Sequence, residues 1–144
     1  MTTFVLDASA ALASALPSQS TANSKTFFAT HDTDDFIAPH IYAWEVGNAL
    51  LALFRRGLLS APALEGSLAQ MAALSLVLWP ALTSPQMDDL LARARLNGLS
   101  LFDMSYLALA QAQRATLVSR DRQLLDAAQR SGVECLDLIG GVVR

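Results

Sequence analysis

Five short apolar runs, at residues 2–6, 36–38, 74–79, 115–119 and 133–136, alternate along the chain with stretches whose apolar residues recur at helical spacing. That alternation is the tightest constraint on the fold. Runs of this length bounded by turn residues read as buried strands, and strands separated by helices pair in parallel with the helices covering both faces of the sheet. The spacing predicts helices over 8–15, 20–29, 41–56, 60–73, 84–96, 100–113 and 122–130, with Phe27 and Phe28 inward on the second. Punctuation comes from Pro17, Pro39, Gly57, Pro62, Pro80 and the Asn97-Gly98 pair. The expected fold is therefore α/β, one domain over residues 1–144 with a mostly parallel five-stranded sheet flanked by helices. At 144 residues and 53% hydrophobic content, there is apolar material for one core and too little chain for two. No repeat or linker divides it, and the tail over about 138–144 is expected to be mobile.

Only 16% of residues are charged, so the surface should expose apolar area that a second copy or a protein partner covers. No apolar stretch is long enough to span a bilayer, because Arg55, Arg56, Glu65, Asp88 and Asp89 interrupt the pattern. The N-terminus lacks the basic region and cleavage signal of a secreted protein. The single Cys135 forms no intrachain disulfide, in keeping with a reducing cytosol. A formal net charge of -3 argues against a module that grips nucleic acid by bulk positive charge. It argues less against a nuclease whose clustered acids are neutralised by bound cations.

Four acids stand out by position. Asp7 ends the first apolar run and Asp121 follows the fourth, each with a helix next, and in open α/β sheets chemistry collects at the carboxyl ends of strands. Helix capping explains each of them equally well. Glu45 shares a face of small residues with Asn48, Ala49 and Ala52, where a solvent-facing acid near a helix start is the plain alternative. Asp103 stands three residues after Ser100, the spacing of a capping box, although a longer acid suits that role better and its apolar neighbours suggest a packed helix start. Four separate caps account for this set less economically than one shared site. Oxygen ligands of this kind suit Mg²⁺ or Mn²⁺, which would also relieve the repulsion among crowded carboxylates and serve phosphodiester hydrolysis. With one Cys and with His31 and His40 far from it in sequence, there is no zinc spacing; there is also no Gly-rich phosphate loop and no serine with a partner histidine.

The blocks Val5-Leu6-Asp7-Ala8-Ser9-Ala10, Glu45-Val46-Gly47-Asn48-Ala49-Leu50, Gly98-Leu99-Ser100-Leu101-Phe102-Asp103 with its continuation to Ala110, and Leu117-Val118-Ser119-Arg120-Asp121 together resemble the PIN domain, in particular VapC-type toxins of toxin-antitoxin pairs. The third block is the most specific. The resemblance implies a cytoplasmic endoribonuclease acting on structured RNA, often transfer or ribosomal RNA, working as a homodimer and inhibited by a small antitoxin. It implies Asp7, Glu45, Asp103 and Asp121 as the quartet that coordinates Mg²⁺ or Mn²⁺, Asp121 being at a variable position. Ser9, Asn48 and Ser119 match the polar positions that support those ligands, and Arg55, Arg56, Arg120 and Arg122 are candidates for phosphate contacts. The departures are Gly47 inside a helix and Pro62 in the middle connection. Two other readings remain: a catalytically silent PIN-like scaffold that binds a partner or RNA, and a DNA-directed or flap-type nuclease, which would ordinarily need a longer chain.

Overall fold

The computed structural model describes residues 2–140. The chain runs β1 (Thr3–Leu6), α1 (Ala8–Ala15), α2 (Ala22–Thr30), β2 (Asp35–Ala38), α3 (Ile41–Arg55), α4 (Ala61–Ala72), β3 (Val77–Leu78), α5 (Ser84–Asn97), α6 (Leu101–Gln113), β4 (Thr116–Ser119), α7 (Arg122–Arg130) and β5 (Cys135–Asp137). All five strands are parallel, in the order β3-β2-β1-β4-β5. The chain leaves β1 toward β2 and β3, then crosses back to lay β4 on the other side of β1. Between β1 and β4 the order reverses, and a crevice opens there at the carboxyl ends of the strands.

Burial on both faces explains why the central strands read as continuous apolar runs. Val5, Ile37 and Leu117 face one cluster, with Tyr42, Val46 and Leu50 of α3, Tyr106 and Leu107 of α6, and Leu124 of α7. Phe4, Leu6, Phe36 and Val118 face the other, with Ala10 and Ala13 of α1, Phe27 of α2, and Leu138. Phe28 is only half-buried, packed at the margin of that second cluster. Local chemistry fixes the helix ends. Thr21 and Thr83 close capping boxes on α2 and α5, Ser60 caps α4, and Gly98 ends α5 in the left-handed conformation at φ 64°.

Two expectations are changed by the structure. Residues 74–79 do not form a buried strand: only Val77–Leu78 pair, on the edge of the sheet, with side chains 58% and 40% exposed. The misleading signal is Leu74, Leu76 and Trp79, which pack partly against the core while Ser75 turns the backbone at φ 53°. The tail beginning at 138 falls, from 141 onward, outside the described residues. Leu138 itself is buried, and its carbonyl accepts a hydrogen bond from Thr21 Oγ1 at 2.7 Å.

Leu117, fully buried in β4, should be costly to truncate. Leu117→Ala is expected to destabilise the protein by about 2–5 kcal/mol in urea unfolding. Leu96→Ala, at a side chain 83% exposed, should stay within about 0.5 kcal/mol.

Candidate functional site

Asp7 leaves the end of β1 with extended backbone and becomes the N-cap of α1. Its Oδ1 accepts from the Ala10 N–H at 2.8 Å and from Ser9 Oγ at 2.7 Å, and its Oδ2 accepts from Ser119 Oγ. The parallel register of β1 with β4 pairs Leu6 with Val118, so the next residue on each strand, Asp7 and Ser119, meet across the crevice. Ser119 in turn accepts from the Asp121 N–H at 2.9 Å, and Ser9 accepts from the Arg120 N–H at 3.1 Å. Two hydroxyls thus tie both strand ends together around one carboxylate.

Asp121 caps α7, its Oδ1 accepting from the Gln123 and Leu124 amides at 2.9 and 3.5 Å. The capping reading therefore holds for Asp7 and Asp121. At Asp103 it holds by half. Ser100 Oγ accepts from the Asp103 N–H at 3.0 Å, but the aspartate does not close the box on the Ser100 amide as its counterparts do on α2 and α5. Its carboxylate is left at the mouth of the crevice, half-buried. Glu45, on α3, is also half-buried and accepts from Tyr106 Oη at 2.7 Å.

The charges report the grouping. Burial raises Asp7 from 3.8 to about 6, against the pull of its bonds to Ser119, Ser9 and Ala10, and the charge of Asp103 adds to the rise. Asp103 is raised by burial first, then by Asp121 and Glu45, with Ser100 easing it. Asp103 therefore stands between the others: it feels the charges of Asp121 and Glu45 and adds its own to the rise at Asp7. Among the described residues, none of the four has a cationic partner in an ion pair. Burial and Glu45 push the Tyr106 phenol far above its ordinary range, so it remains a donor at any working pH.

The arginines divide differently. Arg55 ends α3, ten residues beyond Glu45 and about 15 Å along the helix axis, and Arg56 follows it, exposed. Arg122 binds the buried Asp137 and lies 3.7 Å from Asp126. Arg120 Nη1 donates to Gln19 Oε1 at 2.6 Å, while its buried Nε has no partner among the described residues. Asn48 is exposed on α3. Sequence reasoning missed Tyr106, although its place three residues after Asp103 on one helix was a usable signal. It also missed Asp137, whose pairing with Arg122 depends on β5 lying beside α7.

The donor set is entirely carboxylate and hydroxyl oxygen, the chemistry that divalent Mg²⁺ or Mn²⁺ takes, and its repulsion is uncompensated, which a cation would relieve. Among the described residues, no group of three or more His, Cys, Asp or Glu side chains stands ready-made to hold a metal ion. The fit therefore rests on donor chemistry and charge.

A family model described as PIN domain matches residues 4–130, a span that takes in all four acids. A solved structure, PAE2754 from Pyrobaculum aerophilum, is similar over 96% of this chain and 92% of its own, with 25% identity and a TM-score of 0.70. A PilT N-terminus domain protein, SSO1118 from the hyperthermophilic archaeon Sulfolobus solfataricus P2, aligns over 96% of this chain and 88% of its own at 11% identity and a TM-score of 0.49. No curated protein matches the chain.

The raised Asp7 has a signed consequence for stability. An acid whose folded value lies above its unfolded one favours the folded state at low pH, and that advantage is lost as pH climbs from 3.8 to about 6. The loss amounts to roughly 3 kcal/mol. In metal-free buffer, the stability of the parent relative to Asp7→Asn should fall across this window and level off above it. Urea unfolding of both proteins between pH 4 and 8 measures it; a difference independent of pH would refute the assignment.

Proposed function

This chain belongs to the PIN domain family, generally a metal-dependent nuclease fold, and from that premise we propose that it is an endoribonuclease using Mg²⁺ or Mn²⁺, the toxin component of a toxin-antitoxin pair. The observation that carries the proposal is electrostatic. Asp103, raised first by burial, also feels the charges of Asp121 and Glu45 and adds its own to the rise at Asp7, so acids from four separate parts of the chain gather at one place, and among the described residues no cation is paired to any of them. Leaving such repulsion in place costs stability, and a divalent ion at that crevice repays it.

Asp7, Asp103 and Glu45 would hold the ion, with Asp121 completing the site. Asp7 is fixed in direction by three donors, so little reorganisation accompanies binding. Ser9 and Ser119 keep it oriented, and Asn48, three residues after Glu45 on α3, would support the ion from that helix. When bound, the ion would supply Lewis acidity toward a phosphodiester and make water a usable nucleophile at neutral pH. Of the arginines, Arg120, whose backbone N–H donates to Ser9, stands beside the site in no ion pair among the described residues and is the best candidate for an RNA phosphate; Arg122 is occupied by its carboxylates.

A protein partner is supported by the surface beside the acids. Trp44, next to Glu45, and Phe102, next to Asp103, are 70% and 50% exposed and line an apolar groove of about 710 Å³ with Trp79, Leu82 and Met87. An antitoxin segment or a second copy of the chain would cover it. No helix among the described residues is long and apolar enough to cross a membrane. The cytoplasm suits this reading, since RNA and antitoxin are both encountered there.

Asp7→Asn keeps shape and capping oxygen while removing charge. It is expected to fold and to lose Mn²⁺-dependent RNA cleavage to background, as chelation with EDTA should do to the parent; full cleavage by the variant would sink the proposal. Mn²⁺ at a hundredfold excess over its Kd should also stabilise the parent by about 2.7 kcal/mol. A flat thermal response in parent and variant alike would instead favour the silent scaffold.

A further inference from the structure

The hydrogen bond between α6 and α3 does more than join two helices. Tyr106 is among the largest fully buried side chains, and a phenol in such a place carries a desolvation cost that phenylalanine of the same shape would avoid. Its hydroxyl donates at 2.7 Å to one oxygen of Glu45. The acid it serves is half-buried on a helix face of small residues, Asn48 and Ala49 among them, where a long side chain has several rotamers open to it. The phenol selects one of these and engages Oε1. Glu45 Oε2 has no hydrogen-bond partner among the described residues and stays available. Tyr106 also stands one turn after Asp103, so the helix that carries Asp103 sets where Glu45 is held.

We propose that Tyr106 is a positioning residue that holds the Glu45 carboxylate toward a divalent cation shared with Asp103. The inference rests on the metal-nuclease reading above. Tyr106 touches neither ion nor RNA; it acts through Glu45, as outer partners act on metal ligands elsewhere. A purely packing role would be filled equally well by phenylalanine.

Tyr106→Phe retains every ring contact and is expected to fold. By isothermal titration, its Mn²⁺ affinity should fall by about tenfold or more. Turnover of RNA at limiting Mn²⁺ should fall with KM unchanged, and raising Mn²⁺ should restore most of it. Glu45→Gln supplies the second arm. Once the glutamate charge is gone, adding Tyr106→Phe should weaken Mn²⁺ binding no further. In the unmodified chain Mn²⁺ should perturb the near-ultraviolet tyrosine absorption, and in Glu45→Gln it should not, a measurement that stands even if the phenylalanine variant is unstable. Mn²⁺ affinity and turnover in Tyr106→Phe equal to the parent, with Glu45→Gln impaired, would overturn the role of Tyr106 alone. Undiminished Mn²⁺ binding in Glu45→Gln and Asp7→Asn together would overturn the metal reading itself.

Discussion

A carboxylate buried at the carboxyl end of a central strand must be met by donors, and where those donors come from determines much of this molecule. Asp7 is 5% exposed and draws on the first turn of α1 through Ala10 and Ser9, and on the neighbouring strand through Ser119. The second of these exists only because β4 is laid against β1 in a register that brings Leu6 opposite Val118. The crossover from β3 back to β4, through α5 and α6, is what delivers it. That same crossover sets the start of α6, and with it Asp103, over the crevice. One hydrogen-bonding requirement at the centre of the sheet thus links the topology to the clustering of acids.

What could be read in advance follows the range of the interactions concerned. Strand, acid and helix succeed one another within a few residues around Asp7 and around Asp121, so both the elements and the caps were legible. Ser100 and Asp103 were legible as a capping pair, but only the fold reveals that Asp103 leaves its half of the box open. The run at 74–79 misled because apolar composition does not say which side of an edge strand meets solvent. Tyr106 looked like one more core residue on an apolar helix, and nothing local to it announces Glu45, 61 residues away. Arg122 beside Asp121 reads as a free cation until β5 brings Asp137 against it. Charge compensation is a property of the assembled surface, and the sequence alone holds no account of it.

The distribution of ion pairs sharpens that contrast. Elsewhere the chain neutralises its buried charge: Asp137 is 2% exposed and is matched by Arg122, as burial of an acid ordinarily demands. At the crevice the rule is broken at Asp7, buried with no cation beside it among the described residues, and the partly exposed Asp103, Glu45 and Asp121 bring no cation either; the cost is carried by a well-packed sheet on both sides. Local violations of this kind in an otherwise consistent structure mark the place where stability has been exchanged for something else. The apolar groove beside Trp44 and Phe102 is a second departure, adjoining the first through consecutive residues on α3 and α6.

Because Asp7 and Asp121 cap α1 and α7 through the same side chains that face the crevice, each is held in place by two independent demands. Selection on chemistry could be lifted entirely and selection on folding would still preserve them. A descendant of this chain that had lost every catalytic property would go on looking, at these two positions, like an active one. Glu45 is held in the same way by the buried phenol of Tyr106, so the position that would drift is Asp103, whose carboxylate closes no cap, and its side chain is the more faithful historical record of whether a lineage kept its activity.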